Sequence, residues 1–227
     1  MNLAFFDIAG TLVRGNPWLD VMRDPAIPRN VIRRQRIPVM VWYFAKKLRI
    51  ISDTQFRHYW LHEVAVLLKR MSRTEIESIM MDAIKYQEAQ GTFQDDVVER
   101  LQYHKAQGDH IVLVSGMFDI YVQQYARYFE VDGAIGSPLA FDGDTCTGTL
   151  SGPTCNGPRK LEFIQEYVRN LDVDADPKGG FAYADSYSDL PLLEFVGNPT
   201  ATYPEAELHE IARSRDWTIL GTAQAER

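Results

Sequence analysis

Apolar positions along this chain follow two rhythms. Residues 2–6 (NLAFF) form a short apolar run that stops at Asp7 and passes through Gly10 and Thr11, the pattern of a buried strand emptying into a turn. From about Asn16 to Gln90 the spacing changes to threes and fours, as in Phe56, Trp60, Leu61, Val64, Leu67, Leu68 and Met71, so this block reads as long helices. Ser72 with Glu75 is a capping box that opens a further helix through Ile84. After Thr92 strands and helices alternate. Helices are expected over residues 95–106, 119–129 and 158–170, after Ser188 and over 205–214. Strands are expected over 111–115, 181–184, 200–202 and 217–220, ahead of a frayed polar tail. Residues 139–150 (LAFDGDTCTGTL) carry an Asp-Gly turn signal between β-prone runs and read as a hairpin.

Strands alternating with helices predict an α/β fold, a doubly wound parallel sheet covered on both faces, with the helical block inserted after the first strand. The length of 227 residues suits one α/β domain with a modest insertion. The longest apolar run, residues 37–45, contains Pro38 and falls far short of the roughly 20 residues that cross a bilayer. Two cysteines, Cys146 and Cys155, with no signal peptide recognisable at the start, fit a reducing, cytoplasmic setting and free thiols.

Charge adds an asymmetry. Between Arg14 and Arg73 stand 13 Lys+Arg against 4 Asp+Glu, a local +9, which leaves −16 for the remainder of a chain whose net charge is −7. Such a segment can draw an anionic substrate, touch an acidic membrane surface, or be a solvated helical face. An acidic core without a recognisable nucleic-acid module excludes nucleic acid as the expected partner.

Ligands of doubly wound sheets sit beyond the carboxyl ends of the strands, which directs attention to Asp7, Ser115 and Asp185, the polar residues closing three strands. Each alone fits an ordinary cap or turn. Together with Lys160, at a helix start preceded by Gly157, they form a set suited to phosphoryl transfer. Two carboxylates can share Mg²⁺, and a hydroxyl and an ammonium can hold phosphate oxygens opposite it.

The order Asp7-Ile8-Ala9-Gly10-Thr11-Leu12, Ser115-Gly116, Lys160 and Asp185-Ser186-Tyr187-Ser188-Asp189 resembles the four motifs of haloacid dehalogenase superfamily phosphatases. It is most similar to their phosphoserine phosphatase-like branch, where the fourth motif often reads D-S-x-x-D-L-P-L-L and residues 185–193 here read DSYSDLPLL. The resemblance implies a Rossmann-like core over residues 1–15 and 91–227 and a helical cap over 16–90. It also implies a Mg²⁺-dependent phosphomonoesterase acting on a small-molecule phosphate monoester. Asp7 would be the nucleophile, forming an aspartyl-phosphate. Asp7, Asp185 and the backbone carbonyl of Ala9 would hold Mg²⁺, and Asp189 would orient metal-bound water. Thr11, Ser115 and the Gly116 N–H would meet the substrate, while Lys160 would bind phosphate oxygens and neutralise developing charge.

One position departs from the pattern. The family carries a second aspartate two residues after the nucleophile, which protonates the leaving alcohol and then activates water; Ala9 stands there and can do neither. Loss of a general acid/base costs about 10²- to 10⁴-fold in rate. Three readings follow: an engineered Asp-to-Ala substitution that disables turnover in an otherwise ordinary phosphatase, which the intact remaining motifs favour; a natural pseudo-phosphatase that binds phosphate ligands without hydrolysis; or natural chemistry with a leaving group that needs no acid, such as transfer from an acyl phosphate.

Substrate specificity would lie in the helical block. Its residues 29–51 (RNVIRRQRIPVMVWYFAKKLRII) set an apolar, aromatic stretch between basic clusters. This fits a cap-core helix with basic flanks, a site for an apolar or lipid-like substrate tail, or contact with an anionic membrane surface. His58 and His62, four apart, lack a third metal-ligating neighbour in sequence, and Arg159 beside Lys160 is a further phosphate contact or a solvated side chain.

Overall fold

The computed structural model describes residues 2–171 and 176–222; the last residues of the expected polar tail lie outside them. Among the described residues, β1 (Leu3–Phe6), β2 (His110–Phe118), β3 (Gly133–Ser137), β6 (Phe181–Ala184), β7 (Asn198–Thr202) and β8 (Thr218–Leu220) form one sheet. Its order is β3-β2-β1-β6-β7-β8, every neighbouring pair parallel. Strand order reverses at β1, so the crevice between the ends of β1 and β6 is the switch point where doubly wound sheets bind ligands. Between β3 and β6, β4 (Leu139–Asp142) and β5 (Thr145–Leu150) pair antiparallel as the expected hairpin.

Alternation along β1 divides the interior into two layers. Ala4 and Phe6 face a core shared with α5 (Asp95–Gln107), α6 (Asp119–Phe129) and the helical block; Leu3 and Phe5 face α7 (Pro158–Arg169), α8 (Leu190–Phe195) and α9 (Ala206–Ser214). Both faces of the strands are buried, as in covered parallel sheets.

The helical block comprises α1 (Trp18–Val21), α2 (Arg29–Lys47), α3 (Asp53–Leu67) and α4 (Arg73–Ala89). The Ser72–Glu75 capping box opens α4 as expected, and a second, Ser52–Gln55, opens α3. The chain leaves for this block beside the segment where it returns: Arg14 N–H donates to the Thr92 carbonyl and Gln94 N–H to the Leu12 carbonyl. Trp18 packs edge-on against Trp60 and Phe118, and Trp42 stacks on Tyr59. A buried polar network fastens α4 and α1 to α6. In it the Tyr125 hydroxyl donates to Gln87 Oε1 at 2.5 Å, and Gln87 Nε2 donates to Asp20 Oδ2 at 3.0 Å.

Two strands depart from the expected pattern. β3 (GAIGS) has no hydrophobic alternation to announce it; a Cβ on Gly136 would come within 2.7 Å of the Asp119 backbone, so close approach to α6 selects small residues there. β2 does not stop at Ser115 but continues to Phe118, its register with β3 shifting between Val114 and Phe118. Ser115 and Gly116 therefore sit in an irregularity of the strand rather than beyond its end.

Candidate active site

Asp7 directly follows β1, its N–H donating to the Tyr183 carbonyl of the neighbouring strand at 2.9 Å. The turn after it is closed by Gly10 N–H to the Val13 carbonyl and Val13 N–H to the Ile8 carbonyl. Gly10 has φ +95°, and a Cβ there would fall inside the Asp185 carboxylate, so only glycine lets the turn lie against β6. Asp185 follows β6, and Thr11 Oγ1 donates to its Oδ1 at 3.3 Å. Thr202, at the end of β7, donates to Thr11 in turn.

Lys160 lies in the first turn of α7, entered through Gly157 at φ +57° and Pro158. Its Nζ lies 2.7 Å from Asp7 Oδ1 and 2.6 Å from Asp189 Oδ1. Asp189 is positioned by the 3₁₀ turn of residues 187–189, whose Ser186 hydroxyl accepts from the Ser188 N–H. Oxygens of Asp7, Asp185 and Asp189 all lie within 4.8 Å of one another, and all three residues are buried.

Ser115 is buried with its hydroxyl 3.5 Å from Met117 N–H. The Ser137 hydroxyl ties its loop to the Lys160 segment, donating to the Gly116 carbonyl at 2.8 Å and accepting from the Cys155 N–H at 2.9 Å. Cys146 and Cys155 are both buried free thiols, and burial pushes the Cys155 thiol up to about 12. His58 and His62 stack edge-on at 4.6 Å, and His58 Nδ1 lies 3.4 Å from Thr154 Oγ1.

The electrostatics follow from packing like charges out of water. Burial raises Asp7 from 3.8 to about 6; Lys160 opposes the rise and Asp189 adds to it. Asp185 is raised well above the ordinary range by burial, then by Asp7 and Asp189. Burial disfavours the Lys160 ammonium, but Asp189 and Asp7 hold it well above its usual value. Fully ionised, three carboxylates against one ammonium would carry an excess of two negative charges, and it is this repulsion in a dry setting that raises Asp7 and Asp185. An all-oxygen donor set of that kind fits a hard divalent cation such as Mg²⁺.

Four neighbours were not singled out from the sequence. The Asn156 side chain lies directly against Gly116, where a Cβ would collide with it. Thr202 closes a fourth strand and could have been found by the rule that selected Asp7, Ser115 and Asp185. Glu205 accepts from Tyr187 N–H and Ser186 Oγ, bracing the Asp185–Asp189 loop. Arg57, on α3, is held by Asp53 at 2.6 Å. Desolvation works against its charge, but Asp53, then Asp189 and Glu205, keep the guanidinium above its ordinary value. The Asp53–Arg57 spacing of four on one helix is the only local hint of it.

Known proteins similar to this chain match it over most of its length. Phosphoserine phosphatase SerB1 of Mycobacterium tuberculosis is 25% identical over 217 residues, covering 95% of this chain and 69% of its own. The crystal structure of a Bordetella pertussis protein of unknown function superimposes with a TM-score of 0.79 at 24% identity, over 97% of this chain and 98% of that one. An apo phosphoserine phosphatase superimposes with a TM-score of 0.63 at 21% identity, over 98% and 94% of the two chains. These two structures share the mostly parallel α/β architecture. A family model for haloacid dehalogenase-like hydrolases matches residues 4–194. Most of the chain, including the turn after β1 and the Asp185–Asp189 loop, lies within that match, and the chain belongs to the haloacid dehalogenase-like hydrolase family.

Proposed function

We propose that this protein is a Mg²⁺-dependent phosphomonoester hydrolase that works through an aspartyl-phosphate on Asp7 and is slowed by Ala9. The observation that carries this reading is Lys160 bridging Asp7 and Asp189 beside Asp185 at the switch point of the sheet. We read residues 1–15 and 91–227 as the core and 16–90 as a cap. The backbone pairing of residues 12–14 with 92–94 supports that division.

Asp7 and Asp185, with the Ala9 carbonyl, are the residues that would hold Mg²⁺, and Asp189 would hold water bound to it. When bound, the ion offsets the repulsion between the Asp7 carboxylate and an anionic phosphoryl group. Lys160 fixes the Asp7 carboxylate and screens negative charge as the phosphoryl group approaches. Ser115 and the Gly116 N–H bind phosphoryl oxygens, whereas Thr11, expected among the substrate contacts, is fully buried and commits its hydroxyl proton to Asp185, so it braces that carboxylate instead. An Asp7 oxygen displaces the ester oxygen from phosphorus, giving an aspartyl-phosphate and an alkoxide that must gain a proton. Water then attacks phosphorus, releases phosphate and restores Asp7. Both proton transfers lack a side chain at residue 9, so each falls to solvent.

The substrate in this reading is a small-molecule phosphate monoester. Arg57, and His58 beside Thr154, come from α3 toward this rim, so the leaving group meets a cationic and polar face. Ile37, Met40, Val41 and Phe44 of α2 face solvent, which gives a lipid-like substrate tail no support from this helix. Free thiols at Cys146 and Cys155 support a reducing, cytoplasmic setting.

Ala9 also favours a second reading, a phosphate-ligand binding protein without turnover. Phosphate release with Mg²⁺ from a panel of phosphomonoesters, run on this chain and on Ala9→Asp, separates the two. The phosphatase reading expects the aspartate variant to be faster by about 10²- to 10⁴-fold. Ligand binding without release from either protein supports the binding-only reading.

A further inference from the structure

Helix α2 is 19 residues long, yet none of its residues is buried. Ile37, Met40, Val41, Phe44 and Leu48 are 71, 49, 57, 51 and 70% exposed. Their spacing places them on one stripe of the helix. The opposite side rests on α3, where Trp42 stacks on Tyr59 with ring centroids 4.1 Å apart. A second apolar face is therefore left in water on a helix already packed through its first.

The charges around this stripe share one sign. Arg29, Arg33, Arg34 and Arg36 lie toward its N-terminal end and Lys47 and Arg49 toward its C-terminal end, with no Asp or Glu from Arg29 to Ser52, while Lys46 on the α3 side pairs with Asp53. At roughly 3.6 residues per turn, Arg33 and Arg34 continue the stripe while Arg36 and Lys47 flank it. The rest of the chain beyond the Arg14–Arg73 segment carries −16, so a negatively charged surface attracts the α2 side and repels the body.

We propose that α2 is a docking face for an anionic lipid surface. The helix lies flat, its stripe at the acyl boundary and its Arg and Lys side chains among the headgroup phosphates. Among the described residues no helix is long and apolar enough to cross a membrane, so docking is along the surface. A second copy of the chain is a poorer occupant, because α2 against α2 sets cationic rows against each other with no acid in either helix to offset them. An anionic bilayer supplies both the apolar depth and the opposite charge. This inference stands apart from the phosphatase reading.

Co-sedimentation of the full chain with phosphatidylcholine vesicles, with and without phosphatidylglycerol, tests it. The protein is expected to sediment only with the anionic vesicles and to be released by high salt. The triple substitution Arg33→Gln, Arg34→Gln, Arg36→Gln is expected to weaken binding by about 100-fold. Met40→Ser with Phe44→Ser is expected to weaken it by at least about tenfold. All five side chains are exposed or half-exposed, so thermal melts of both variants should match the parent. Absence of sedimentation at any lipid composition overturns the proposal, as does binding that survives the Met40/Phe44 pair, which would be adsorption by charge alone. Self-association in solution that the Met40/Phe44 pair abolishes, or capture of an acidic helical peptide without vesicle binding, would likewise overturn it by giving the stripe to a protein partner.

Discussion

Lys160 Nζ stands 2.7 Å from Asp7 Oδ1, with both side chains almost wholly withdrawn from water, and the same ammonium reaches Asp189 Oδ1 at 2.6 Å. One cation thus serves two carboxylates, while Asp185 beside them adds a third. Removing the shared ammonium would leave both of its buried carboxylate partners uncompensated.

Lys160→Met separates the effects of that cation. Its loss leaves a more negative cluster, so Mg²⁺ should bind more tightly by calorimetry while phosphate binds more weakly. In an Ala9→Asp background turnover should fall by about 10²- to 10³-fold. Weaker Mg²⁺ binding in this variant would contradict the electrostatic account.

The pH dependence of metal binding follows from Asp7. Its folded value of about 6 lies above the ordinary 3.8, so the folded protein holds an extra proton between them. In the metal-free protein the stability tied to that proton is fully present below about pH 4 and is lost as pH rises through about 6. A divalent cation competes with the protons on Asp7 and on Asp185, whose carboxyl is raised as well, so its affinity should climb by about tenfold or more per pH unit below 6 and keep rising above it until Asp185 is ionised. Titrations at several pH values, with thermal melts with and without Mg²⁺, read both trends; an affinity independent of pH sinks this assignment.

Gly10→Ala should disturb two things together. A positive φ costs on the order of 1–3 kcal/mol for a residue with a Cβ. That Cβ would also displace the Asp185 carboxylate. Lower stability in urea and Mg²⁺ affinity reduced by about 10- to 100-fold are expected. Unchanged affinity would mean Asp185 does not hold the ion.

Tyr125→Phe tests the fastening of the helical block. Without its hydroxyl, Gln87 Oε1 loses its 2.5 Å donor in a buried setting, which should cost about 1–3 kcal/mol in chemical denaturation. A change within a few tenths of a kcal/mol would show that water takes the hydroxyl's place.

Much of this was legible in the sequence for a physical reason. Buried parallel strands write continuous apolar runs, and the residues closing β1 and β6 have to be polar where the chain leaves the sheet. Asp7, Asp185 and Lys160 were therefore visible as candidates, and the structure brings them together. β3 was not visible, because Gly133 and Gly136 answer to neighbours distant in sequence, Tyr167 and Asp119, rather than to a local pattern. Arg57, Asn156 and Glu205 escaped for the same reason: their relevance arises only when α3, the loop before α7 and the start of α9 converge. The apolar letters of α2 were legible, but periodicity alone does not say which face meets water.

The most direct test of the central claim is intact-mass and peptide analysis after mixing with Mg²⁺ and p-nitrophenyl phosphate, whose leaving group needs no acid. With Asp7 as nucleophile and no base at residue 9, this chain should release close to one equivalent of p-nitrophenolate and then retain a phosphoryl group on Asp7. Ala9→Asp should turn over without accumulating it. Absence of a phosphoryl group on Asp7 in both proteins, or its appearance elsewhere, would contradict the account.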